Sequence, residues 1–84
     1  MDKATRARLQ LVSQQPTPSN RRQFLIDDNG FLYVDLLPDG RKLWVARWFG
    51  IKGTYRRFQK TLGSFAALSY GQASRLEDAA RFAA

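Results

Sequence analysis

Eighty-four residues, 44% apolar and 13% aromatic, provide for one small packed domain and exclude a second core or a wide cleft between domains. With no His and no Cys, the chain lacks the usual neutral-pH base, a thiolate nucleophile, the soft-metal ligand sets and any disulfide framework, which excludes most enzyme classes. Fourteen Lys and Arg against seven Asp and Glu give a net charge of +7 and favour a polyanionic partner, nucleic acid before an anionic membrane.

From Met1 to Gln23 the chain carries five basic residues (Lys3, Arg6, Arg8, Arg21 and Arg22) and one acid, Asp2. Asp2 to Val12 reads as a short helix, marginal without a surface to pack on, or equally as a disordered basic arm. Gln14 to Asn20, with Pro16 and Pro18 among amides and hydroxyls, reads as an extended, mobile linker. Residues 1–23 are therefore assigned to a basic arm and linker, and residues 24–84 to the folded domain.

Phe31 to Leu37 is rich in strand formers and lies between two turn signals, Asp28-Asn29-Gly30 and Pro38-Asp39-Gly40. Lys42 to Phe49 predicts a second strand and Thr54 to Leu62 a third, and the short connections imply an antiparallel meander. Between Arg41 and Lys60 there are seven basic residues and no acid, interleaved with Trp44, Trp48, Phe49, Tyr55 and Phe58. Past Gly63, Ser69 caps a helix in which Ala73, Leu76, Ala80 and Ala83 form the stripe facing the sheet. Gly71 is unfavourable in its first turn, and Glu77-Asp78 reads as its solvated face. The expected fold class is α+β: a three-stranded antiparallel β-sheet packed against one C-terminal α-helix, with a basic flexible or partly helical N-terminal arm. No apolar run approaches the roughly 18 residues of a membrane span, and no secretory signal opens the chain.

Strand alternation then sorts the side chains. Leu32, Val34 and Leu36, with Trp44, Ala46 and Trp48 and with Phe58 and Leu62, turn toward the helix. Arg56 and Lys60 share that side and must reach an edge. Tyr33, Asp35 and Leu37, with Val45, Arg47 and Phe49 and with Tyr55, Arg57, Gln59 and Thr61, turn outward. Arg can bond guanine O6 and N7 in a fork, Gln can do the same with adenine, and apolar groups can meet a thymine methyl. The major groove admits β structure, so Arg47, Phe49, Tyr55, Arg57, Gln59 and Thr61 are the expected base contacts. Arg21 and Arg22 on the basic arm, with Arg41, Lys42, Lys52, Arg56 and Lys60 at turns and edges, are the expected phosphate contacts.

These residues also carry a family resemblance. Asp28-Asn29-Gly30 with Phe31-Leu32-Tyr33-Val34, then Pro38-Asp39-Gly40 with Lys42 and Trp44, Arg47-Trp48, Leu62-Gly63-Ser64-Phe65, Leu68-Ser69 and Ala73 stand in one order. From Asp28 to Leu76 this resembles the amino-terminal arm-type DNA-binding domain of phage and prophage integrases of the tyrosine recombinase class. Trp44 to Arg47 and Leu62 to Phe65 equally resemble the plant-type AP2 DNA-binding domain. Both families share a three-stranded sheet on one helix. The resemblance implies a sheet that enters the major groove, with Arg47, Phe49, Arg57, Gln59 and Thr61 at positions where the family contacts DNA. It also implies a cytoplasmic, nucleoid-associated setting in a bacterial or phage-infected cell. Gly71 and Ser74 stand where the integrase pattern usually has Ala and Arg, and Lys60 where an apolar residue is commoner. The recombinase catalytic residues are not among these 84, so the chain reads either as an integrase fragment or as a standalone phage or mobile-element regulator.

The leading expectation is thus a non-catalytic, sequence-specific double-stranded DNA-binding module, acting alone or with other copies or other DNA-bound proteins. It needs no cofactor, metal, membrane or small-molecule substrate. The alternative is a protein-interaction module that docks its exposed sheet, with Tyr33, Leu37, Val45 and Phe49 on one face, or its edge strand on an acidic protein partner.

Overall fold

A computed structural model describes residues 2–50 and 57–83, in the order α1 (Lys3–Ser13), β1 (Arg22–Leu25), β2 (Leu32–Leu36), β3 (Lys42–Phe49), β4 (Arg57–Ser64) and α2 (Tyr70–Ala83). All strands join one antiparallel sheet in chain order, β1-β2-β3-β4. The class is α+β, as the pattern predicts, but among the described residues the sheet has four strands and there are two helices. The additional strand β1 is only four residues long and pairs Arg22 with Leu36 through Leu25 with Tyr33. Thr54 to Arg56, the predicted start of the last strand, lie outside the described residues; β4 itself runs two residues past Leu62 to Ser64.

The two β-turns follow the sequence chemistry. Asn29 accepts a bond from the Phe31 N–H (3.0 Å) and Asp39 accepts one from the Arg41 N–H (3.0 Å), the side-chain mimicry that makes Asx residues good turn formers. Gly30 and Gly40 close these turns at φ 85° and 94°, where a side chain would be strained.

Leu32, Val34, Leu36 and Trp44 face the helices as predicted and form one core with Ile26, Val12 and Ala73. The Trp44 indole N–H donates to the Leu68 carbonyl (3.0 Å), and its ring meets Phe65 with centroids 5.1 Å apart. Trp48 lies farther out on the same face, half-buried and stacked on Phe58 at 5.7 Å. Between Trp44 and Val45 the register with β4 shifts, so that Trp44 opposes Gly63 and Val45 opposes Thr61. Leu62 is the extra residue of this bulge.

Of the two readings of the first segment, the helix is the one observed. Asp2 caps it by accepting from the Thr5 N–H (2.8 Å), and Val12 anchors it in the common core. The packing surface that a short helix needs is thus supplied by the sheet domain. Residues 15–18 have neither helix nor strand geometry, and Pro16, Thr17 and Pro18 lie along Leu36, Leu37 and the β2–β3 turn.

In α2, Ser69 caps as predicted and does so reciprocally: its hydroxyl accepts from the Gln72 N–H (3.2 Å) while Gln72 Oε1 accepts from the Ser69 N–H (2.9 Å). The buried stripe differs from the expected one. Ala73 is buried, but the next buried position is Glu77 rather than Leu76, which stays 42% exposed. Glu77 therefore belongs to the packed face, not the solvated one. Arg81 makes this tolerable by bonding Glu77 Oε2 (2.7 Å) and laying its guanidinium over the Phe31 ring (4.1 Å).

Candidate nucleic-acid interface

The β2–β3–β4 register sets Tyr33 opposite Val45, Val45 opposite Thr61, Arg47 opposite Gln59 and Phe49 opposite Arg57. These residues share the sheet face turned away from the core. Five of the six expected base contacts, Arg47, Phe49, Arg57, Gln59 and Thr61, are thereby brought together; Tyr55 lies outside the described residues. Phe49, Arg57, Gln59 and Thr61 are exposed, with the Arg57 guanidinium 5.9 Å from the Phe49 ring centre.

Arg47 is half-buried, in surroundings supplied by β1, a strand that the sequence pattern does not predict. It donates through NH1 to Gln23 Oε1, and its guanidinium lies 4.9 Å from the Tyr33 ring centre. Gln23 in turn donates from Nε2 to Asp35 Oδ1 (2.5 Å), and Arg21 donates to Asp35 Oδ2. Both oxygens of the carboxylate are engaged, and Asp35 is only 2% exposed. The outward orientation predicted for Asp35 holds, but Arg21 and Gln23 cover it. This chain, Arg21 to Asp35 to Gln23 to Arg47, fixes the Gln23 amide with its nitrogen toward the acid and its oxygen toward Arg47. One of the five guanidinium donors of Arg47 is used by Gln23, and the group is held in one place by the bond and the aromatic ring.

The expected phosphate contacts divide. Arg21 is on the open face through its pair with Asp35. Arg22 turns to the other side and stacks over Phe24 at 5.2 Å. Arg41 sits in the β2–β3 turn and pairs with Asp39 (2.7 Å). Lys42 donates to the Ser13 carbonyl at the end of α1 (3.1 Å) and so ties that helix to the sheet. Lys60 is exposed on the helix side of β4, as its parity predicts. Lys52 and Arg56 lie outside the described residues. Of the four side chains expected to serve a protein partner, Val45 is fully buried, Tyr33 is covered by Arg47, Leu37 is half-buried and Phe49 is exposed.

Acids gather elsewhere. Asp2, Asp27 and Asp28 line one concavity with Thr5, Asn29, Tyr70 and Ser74, where α1, the β1–β2 turn and α2 begin to meet. Burial pushes the Asp27 carboxyl above its ordinary value, and burial together with the fields of Asp27, Asp2 and Asp28 pushes the Tyr70 phenol upward. The only carboxylate on the open face among the described residues is Asp35, and it is countered by Arg21.

No family model, no curated protein and no solved structure matches the chain. No helix among the described residues is long and apolar enough to cross a membrane.

Proposed function

We propose that the protein binds double-stranded DNA in a sequence-specific manner through the open face of the sheet, without catalysis. The observation that carries this reading is the single face on which the register collects Arg47, Gln59, Thr61, Arg57 and Phe49, with its one described acid already neutralised. Forked donors, an amide, a hydroxyl and flat apolar groups are the chemistry that reads base edges in a major groove. Gln23 and Tyr33 add the positional restraint that direct readout requires, because a bidentate contact tolerates little rotation of the guanidinium. The resemblance to integrase arm-type domains points the same way and suggests accessory sites in DNA recombination, or a small regulator of a mobile element.

Selection from a random duplex pool at two salt concentrations tests the proposal. An enriched motif at the higher salt is expected. Arg47→Ala should then cost about 1–3 kcal/mol at one base pair of that motif and little on scrambled DNA. Equal losses on cognate and scrambled duplex would remove base readout from Arg47, and absence of binding would remove the proposal.

A further inference from the structure

At the β4 edge, β4 and α2 leave a groove of about 650 Å³, lined by residues 58–62 of the strand with Trp48, Leu76, Ala79 and Ala80. Phe58 and Leu76 are 36% and 42% exposed there, although both are large apolar groups. The groove runs beside a sheet edge, since among the described residues β4 pairs with β3 alone.

The ladder geometry shows which backbone groups that edge offers. The Arg47 N–H donates to Phe31 O (2.9 Å), toward β2. Alternation along β3 therefore turns Ala46 and Trp48 toward β4, where they oppose Lys60 and Phe58. The N–H and C=O groups of Gln59 and Thr61 consequently point away from β3, to the open edge. An extended chain laid along β4 can bond to these groups and, by strand alternation, drop every second side chain into the groove.

Charge selects the occupant. From Arg57 to Ser64 the strand has Arg57 on one side, Lys60 on the other and no acid, and the exposed Arg75 precedes Leu76 on the facing helix. A second copy paired edge to edge would bring these cations against their own counterparts, which like charge on neighbouring strands disfavours; a Lys on an edge strand is a known guard against such self-pairing. A duplex supplies anions but nothing to fill an apolar groove. We propose that the β4–α2 groove takes an extended acidic segment of a partner protein, with apolar side chains at alternate positions, as a fifth strand of the sheet. Nothing in this assignment depends on the open face binding DNA.

Selection of displayed random peptides of about ten residues on the full chain, enough to run along β4 at about 3.3 Å per residue, tests it. Enrichment of peptides that alternate Asp or Glu with apolar residues is expected. Amide shifts on titrating the enriched peptide into labelled protein should fall on residues 58–62 and 75–80. Leu76→Glu, which puts a like charge at the groove on a half-exposed helix position, should weaken that peptide about tenfold or more. Thr61→Pro removes the outward edge N–H, a placement that sheets tolerate, together with a hydroxyl of the open face, and should abolish peptide binding with the amide spectrum otherwise retained. The proposal is overturned by enrichment of peptides without acids or by no enrichment. It is equally overturned by shifts on the open face instead, by concentration-dependent shifts on β4 without peptide, or by a duplex that moves residues 75–80 as strongly as the peptide does.

Discussion

Glu77 is a carboxyl group whose burial works against its charged form. It has no exposed surface, Oε2 is bonded by Arg81, and Oε1 has no hydrogen-bond partner among the described residues. Burial raises its pKa above the ordinary 4.5, and the Arg81 bond and charge only partly oppose this. A raised carboxyl pKa means that the folded state holds the proton more tightly than the unfolded chain does. Stability from this group therefore falls as pH rises from 4.5 through the folded pKa, and is regained on acidification over the same window. Thermal unfolding of the protein and of Glu77→Gln across that window checks the sign. The variant should lose the gain on acidification, and an unchanged pH slope would show that Glu77 does not carry it. Asp2 behaves oppositely: bonds from the Thr5 hydroxyl and N–H hold it at about 2, so its contribution is present above 3.8 and is lost as pH falls through about 2. The same scale holds a simpler test at Trp44. Trp44→Phe leaves the Leu68 carbonyl without its donor and should cost about 1–3 kcal/mol in denaturant unfolding. Trp44 could be placed inside from alternation alone because the other parity would bury Arg47, whereas Glu77 could not be: Ala73, Leu76 and Ala80 make as good a helical stripe as Ala73, Glu77 and Ala80. In the folded protein Glu77 is the buried one, bonded by Arg81 as that side chain lies over Phe31.

At the level of elements, the strands that could be read were those with enough residues to alternate. β3 has the predicted bounds, and β2 is the predicted strand less one residue at each end. β1 has four residues, two of them polar, at the end of a proline-containing linker, and it pairs only because β2 already offers an edge. Since Gln23 arrives on that strand, the positioning of Arg47 was equally hidden in the sequence. Helix α1 is ambiguous for a related reason: its packing comes from Val12 in the shared core and its C-terminal tie from Lys42 on the Ser13 carbonyl, and both contacts are distant along the chain. The bulge in β4 is the element most sensitive to a small change. Gly63 has φ 155°, and a Cβ there would lie 2.8 Å from Leu68 Cδ1. Gly63→Ala therefore strains the backbone and pushes on the loop whose Leu68 carbonyl receives the Trp44 N–H. A loss of about 1–3 kcal/mol in denaturant unfolding is expected, and a neutral result would mean that the loop yields without cost.

For the whole molecule, a net charge of +7 attracts DNA to any surface, so binding alone does not identify a face. The arrangement of charge does better. Asp2 and Asp27 lie at one end with Asp28, which Arg8 counters at 2.7 Å, Glu77 and Asp78 are paired with Arg81, and the open face combines exposed Arg57 with the Arg21–Asp35 pair and Arg47. If that face docks and about four to six phosphates are neutralised, log K should fall against log salt with a slope of roughly −4 to −5. Arg57→Gln, on the docking face, should make the slope shallower by about 0.9, the share of one phosphate. Arg75→Gln, exposed on α2 behind the sheet, changes the net charge by the same amount and should leave the slope unchanged. Equal changes in both variants would mean that the molecule is held by its overall field in many orientations, and the open face would lose its claim to be the interface.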